Sequence, residues 1–399
     1  MGMIHKHKER TPKTKSIQAL ISIRFFLALG NATIMTIWAL YLNSFVESTS
    51  TTGYISSLLT LISFFSYFAF VPLVEKYDKG KLFSITLFLT AISHLFFAFV
   101  TKSLLIVVLI SIATIIIQSI RITINGIIIK DTQPRKSLSK SEGLMYTFAN
   151  IAFLIGPLLA GYLSSGSGYS LVFIAGSLFF FTAYFIYRIS AIKDSRTSKK
   201  LDSNVIKNFI HYFRNKNRVV AYLVGGGVQL WWTFIFLFIP LYMKINNFTT
   251  KEIGYFIFAT SIPLILTEYY ISKRTSKIGY KKIFILGYLI TALFCLLSFF
   301  ISNVFLILAI LSLASFGMAF LEPTTEAYFL QILNKNDTAK YFGPYNTNAN
   351  TTILIGKLLA SSLLLILPFK YLFILFAAYM FFFFLISFKT KELKYRDSR

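Results

Sequence analysis

The 399-residue chain has one cysteine, Cys295, so no disulfide can form within it. Charge is scarce: Asp, Glu, Lys and Arg make up 14% of the residues, against about 25% in soluble globular domains. Acids are the scarcest, 15 against 40 Lys and Arg, for a net charge of +25. A Walker phosphate loop, a nucleophile triad and a metal-ligand spacing are all missing. ATP-driven transport and enzymatic chemistry are therefore not expected, and neither is a cofactor. What is abundant is apolar: 56% hydrophobic and 18% aromatic residues, with a mean hydropathy of +0.67. That excludes disorder and a disulfide scaffold and leaves an all-α integral membrane protein.

The apolar residues fall into twelve segments: 17–45, 53–74, 82–101, 104–130, 142–163, 171–189, 219–243, 253–273, 283–301, 304–331, 345–367 and 371–388. Each is near the roughly 20 residues needed to cross about 30 Å of hydrocarbon. With both termini in the cytoplasm, 33 Lys and Arg fall on the cytoplasmic side and four outside, namely Lys102, Lys244, Lys251 and Lys370. This positive-inside bias accounts for the net charge without nucleic acid. It points to a multi-pass protein of the cell (inner) membrane, with anionic headgroups of the bilayer near the basic loops. The first segment is long and has no clear cleavage site, so it reads as a retained span. The expected organisation is a basic tail (1–16), a six-helix half (17–189), a linker (190–218), a second six-helix half (219–388) and a basic tail (389–399). Within the linker, Val205, Phe209, Tyr212 and Phe213 recur at helical spacing among Lys207, Arg214, Lys216 and Arg218, the pattern of an amphipathic helix on the membrane surface. His5 and His7 read as solvated tail residues.

The halves repeat. GLMYTFANIAFLIGPLLA (143–160) and GPYNTNANTTILIGKLLA (343–360) are identical at ten of eighteen positions. An offset of 201 also aligns Leu40-Tyr41 with Leu241-Tyr242 and Gly53-Tyr54 with Gly254-Tyr255. Two parallel six-helix repeats about an axis normal to the membrane is a transporter arrangement. LVEKYDKGK (73–81) resembles the loop motif of the major facilitator superfamily, with Glu75 at the acid position, Lys76 at the basic one and Asp78 where Gly is usual. Its second copy, ISKRTSKIGYKK (271–282), keeps Gly279, Lys281 and Lys282 but has Ser276 at the acid position. The fifth segment resembles the family's antiporter motif, with Gly143, Ala152, Gly156, Pro157, Ala160 and Gly161 in place. That resemblance implies two bundles rocking about a central cavity lined by spans 1, 4, 7 and 10, and the fifth-segment motif implies an exporter. The same small residues also suit plain helix packing.

Six charges lie inside spans: Arg24, Arg121, Lys357, Glu268, Glu322 and Glu326. Each costs about 2.5–3.5 kcal/mol at the bilayer centre on the mildest scale, so their equal numbers suggest pairing around a cavity. Thr114, Gln118, Arg121 and Asn125 share a helix face, as do Asn346, Asn350, Lys357 and Ser361. The offset of 201 places Arg121 opposite Glu322, either as a site or as a buried ion pair. Glu326 follows Glu322 by one turn. Two such carboxylates resist joint ionisation, and one that titrates near neutral pH is what proton coupling needs. Lys357 either competes with Arg121 for Glu322 or serves structure. Glu268 and Arg24 stand near span ends, where snorkelling accounts for both. Asn31, Gln229, Trp231 and Trp232 lie at substrate depth, the Trp pair placed either to stack on a ligand or to pack. Gly225-Gly226-Gly227 reads as close packing or a flexible point, with no phosphate-loop context.

The expected function is secondary transport by alternating access: proton-coupled export of a small amphipathic molecule by a monomer. The alternatives are proton-linked or facilitated uptake of a nutrient such as a sugar or organic acid, and a non-transporting scramblase or sensor. Proton-coupling residues would be Glu322, Glu326 and Arg121. Substrate contacts would come from Asn31, Gln118, Arg121, Asn125, Gln229, Trp231, Trp232, Glu322 and Lys357. Glu75, Lys76, Gly143, Gly156, Pro157, Gly161 and Gly279 would serve gating.

Overall fold

A computed structural model of the chain describes residues 14–132, 138–190, 205–333 and 337–392. The basic tails, the first part of the linker, and His5 and His7 lie largely or wholly outside the described residues. The order is α1 (Thr14–Val46), α2 (Thr49–Lys76), α3 (Lys79–Phe97), α4 (Leu104–Thr132), α5 (Leu138–Ser167), α6 (Ser170–Ile189) and a short α7 (Val205–Phe213). There follow α8 (Lys216–Ile245), α9 (Thr250–Ile278), α10 (Tyr280–Phe300), α11 (Val304–Ile332), α12 (Thr338–Ile366) and α13 (Tyr371–Ser387). Among the described residues, nine helices are long and apolar enough to cross a membrane, and α13 is apolar but has 17 residues. The other two long helices, α2 and α9, have 28 and 29 residues.

Polar side chains at the loops start the helices. Ser48, Asp78, Asn215 and Asn303 each accept a hydrogen bond from a backbone N–H in the first turn of α2, α3, α8 and α11. Asp78, unusual for the loop motif, thus serves as the cap of α3. Thr249 and Glu252 form a reciprocal capping box on α9. Gly279, at φ +87°, lets α9 turn straight into α10, a conformation L side chains rarely adopt.

The buried side chains form two main clusters. One draws on residues 20–187; the other draws on 212–383, with Ala39 and Leu40 added from α1. The halves join through α5 against α9 and α2 against α12, two pairings related by the repeat. Helix α8 carries a π-turn at Phe234–Phe238. The cause is Pro240: it has no N–H to donate, and its ring crowds the Phe236 carbonyl. The Gly225–Gly227 run is a packing point. A Cβ on Gly225 would lie 2.6 Å from Tyr345 Oη and Asn348 Nδ2 of α12. Helix α7 forms where its periodicity predicts, but it is not simply a surface helix. Tyr212 is wholly buried and its hydroxyl donates to the Arg218 carbonyl at 2.8 Å. His211 Nδ1 lies 3.1 Å from Tyr341 Oη on α12.

Candidate functional site

The repeat is most visible at the end of the bundle opposite the chain termini. There Lys244 Nζ donates to Asn43 Oδ1 at 2.8 Å, and these two residues are 201 positions apart. Each is the other's repeat mate, so the pseudo-twofold axis passes between them. Ser50 donates to the Ser361 carbonyl at 2.7 Å, and Tyr54 Oη lies 2.8 Å from Ser362 Oγ. On the opposite side of the axis, Tyr162 Oη and Tyr255 Oη are 2.6 Å apart. Gly53 packs against Ser361, and Gly254 packs against Pro157 and Gly161. The antiporter-like residues thus work in two directions. Gly156 brings α5 onto α1, where an added Cβ would lie 2.6 Å from Ala32 Cβ, while Pro157 and Gly161 meet α9 of the other half.

Besides these contacts, the two halves line a cavity of about 680 Å³. Arg24 and Asn31 of α1, His94 of α3, Gln118 and Arg121 of α4, and Asn350 and Lys357 of α12 line it. Thr114, Gln118 and Arg121 share the cavity face as their spacing predicts. The side chains of Asn125, Glu75 and Lys76 lie outside the described residues, and nothing beyond its helical backbone is described for Gly143.

Arg121 is 5% exposed, and its Nε has no hydrogen-bond partner. Its ionisable neighbours are Arg24 and His94. The expected pairing of Arg121 with Glu322 is therefore not formed. Lys357 turns instead to α2, where its ammonium donates to Thr60 Oγ1 at 2.9 Å and the Ser56 carbonyl at 3.4 Å. Arg24, expected to snorkel, lines the cavity. His94 escaped the sequence reading, although it is the only histidine in an apolar segment. Its Nδ1 lies 2.7 Å from the Thr90 carbonyl, and its ring packs at a tilt of 54° against Phe180, with centroids 4.7 Å apart.

The carboxylates gather elsewhere. Glu322 is exposed on α11 and takes a hydrogen bond from Trp232. Its acidic neighbour is Glu268 of α9, close enough for their charges to interact. Glu268, also expected to snorkel, accepts from Asn150 Nδ2 of α5 at 3.3 Å, a bond between the halves. Glu326 faces Tyr345. The Trp pair divides. Trp232 reaches Glu322, whereas Trp231 is wholly buried beside Phe234, with no partner for its Nε1. Trp231 is therefore a core residue, not a ligand contact. Gln229 is half-buried and does not line the cavity.

Two repeat-related helix bundles, joined at one end and enclosing a polar cavity, define a multi-pass carrier of the membrane. The chain belongs to the Major Facilitator Superfamily, whose family model matches residues 20–274 and 222–398. It is 25% identical over 364 residues to the class H tetracycline resistance protein of Pasteurella multocida, covering 86% of this chain and 88% of that protein. An uncharacterised MFS-type transporter of Methanocaldococcus jannaschii is 23% identical over 347 residues, with coverages of 86% and 89%. The staphylopine export protein of Staphylococcus aureus is 28% identical over 159 residues, 36% of this chain and 37% of that one. Among solved structures, a POT family transporter bound to 5-aminolevulinic acid superposes with a TM-score of 0.78 at 13% identity, over 96% of both chains. Proteins of this family carry small-molecule substrates across membranes and are not enzymes.

Proposed function

We propose that this chain exports a small amphipathic molecule in exchange for protons, by alternating access, with both termini in the cytoplasm of a cell (inner) membrane protein that works as a monomer. A relative named for export, the staphylopine export protein, and one named for drug resistance, the class H tetracycline resistance protein, support the direction. The excess of Lys and Arg on one side supports the orientation.

The observation that carries the coupling is the Glu268–Glu322 pair. Carboxylates are costly to place at bilayer depth, and they mark proton and ion pathways in membrane carriers. One of them also spans the halves: an ionised Glu268 accepts from Asn150 across the α5–α9 junction, and proton uptake there changes the strength of a contact that must break for the bundles to rock. The same pair revises the expected Glu322–Glu326 assignment. Glu322 keeps its role, Glu268 joins it, and Arg121 and Lys357 serve substrate instead.

The test is solute flux in liposomes with and without an imposed pH step. Glu322→Gln fixes the site as if protonated. It should abolish gradient-driven flux and leave exchange without a gradient. Wild-type gradient-driven flux in both Glu322→Gln and Glu268→Gln would remove the pair from coupling.

A further inference from the structure

Charges in the spans were expected to pair around one cavity. They segregate instead. Arg24, Arg121 and Lys357 line the 680 Å³ cavity, and no Asp or Glu is among its described lining residues. Glu268 and Glu322 are not among them; Glu322 takes a hydrogen bond from Trp232, and Glu268 one from Asn150. A cavity of this size suits a drug-sized ligand, and its charge has one sign.

A second observation singles out where a ligand would dock. Arg121 is 5% exposed, faces the cavity and has an Nε–H without a partner. A buried guanidinium is expected to use its donors, because a desolvated polar group left unpaired costs free energy. Its planar fork matches an oxyanion in a bidentate manner. Lys357, from the other half, brings an ammonium to the same cavity. Apolar side chains, among them Leu27, Ile34, Met35, Trp38 and Phe153, share the rest of the wall with uncharged polar ones such as Asn31, Gln118 and Asn350.

We infer that the solute carries an oxyanion, a carboxylate or a phosphonate-like group, on an apolar body. Its anionic end is held by Arg121 and Lys357, and its body lies along α1. This rests on the transport reading above and names its substrate class. A ligand held between Arg121 of α4 and Lys357 of α12 also touches both halves, as a solute that moves with the rocking bundles must.

The experiment uses the full chain in phosphatidylcholine nanodiscs and a panel sharing one apolar body: 4-phenylbutyrate, 4-phenylbutylphosphonate, 4-phenylbutanol and 4-phenylbutylamine. Binding is read by calorimetry, and flux in parallel liposomes. The carboxylate or phosphonate should bind at least about tenfold more tightly than the alcohol and amine, since one charge-assisted bidentate contact supplies that much. Arg121→Gln should erase the preference and Arg121→Lys should restore part of it. If either variant fails to fold, the wild-type ranking still decides. Tighter binding of the amine, no preference, or no binding of either anion at millimolar concentration overturns the inference. Replacing part of the lipid with phosphatidylglycerol separates the sources of an oxyanion. Loss of anion binding there would make a lipid headgroup the occupant and overturn the solute assignment. Anion-selective binding without flux would instead count against the transport reading and leave the site standing.

Discussion

Gly254 sits where α9 meets α5 at the closed end, and replacing it with alanine should force that end apart. A Cβ at 254 would lie 2.5 Å from the Pro157 carbonyl oxygen and 3.3 Å from Gly161 Cα, where ordinary contact begins at 3.4 Å. The helices must therefore separate by about 1 Å, because packed interiors have no slack to absorb it. The obstacle is backbone, so it cannot be turned aside like the tip of a long side chain. Overpacking of this kind costs about 1–3 kcal/mol. Alanine is also the better helix former by about 1 kcal/mol, but that gain is the same whether the halves touch or part. Only the clash enters the equilibrium, and at 1.4 kcal/mol per tenfold it raises the population open at this end by about 5- to 150-fold. The assay is thiol labelling of Ser50→Cys in a Cys295→Ser background. Ser50 is 4% exposed and bonded to the Ser361 carbonyl, so a thiol there reacts only when this end opens. Its labelling rate should rise by the same factor in Gly254→Ala. The repeat mate, Gly53→Ala, meets the Ser361 hydroxyl, which can rotate away, and should act more weakly. An unchanged rate in folded Gly254→Ala protein would refute the idea that this contact holds the closed state.

The orientation is tested by an impermeant thiol reagent on intact cells, which should label Thr101→Cys but not Arg214→Cys, both exposed positions; the reverse pattern would overturn the proposed topology. At the start of α9, Thr249→Ala should lower thermal stability by about 1 kcal/mol through loss of a cap, with no change expected if the turn holds without it. Hydrogen bonds from the Thr249 side chain and backbone hold the Glu252 carboxyl below its ordinary range. That clasp should therefore be fully present above the ordinary carboxylate range and lost as pH falls through the lower folded value. The wild-type advantage over Thr249→Ala should shrink in the same acidic window, and an advantage independent of pH would count against the clasp.

The membrane spans were legible because apolar runs of this length have few other uses, and the repeat was legible because Gly53 and Gly254 do the same work on either side of the axis. Side-chain direction was harder to read. Trp231 and Trp232 are adjacent in sequence but about 100° apart around the helix, so one enters the core and the other reaches Glu322. Depth was misjudged where helices outrun their apolar runs. Helix α1 begins at Thr14 and α9 continues to Ile278, so Arg24 and Glu268 lie deeper than the runs implied, beyond easy snorkelling. The offset of 201 placed Arg121 opposite Glu322. Repeat mates meet only near the axis where the halves touch, as Asn43 and Lys244 do. At the level of Arg121 the halves are held apart by the cavity, which no linear spacing reveals.

Alternating access requires that the two ends of the bundle move in opposite senses, and paired spin-label distances test this most directly. One pair, Thr101→Cys with Ser302→Cys, reports the closed end, and the other, Tyr77→Cys with Lys277→Cys, reports the end near the termini; all four positions are exposed. As pH is lowered in liposomes, every gain in long distances at the first pair should be matched by a gain in short distances at the second. Distances that stay fixed at both ends, or that lengthen at both together, while solute flux continues, would contradict the account.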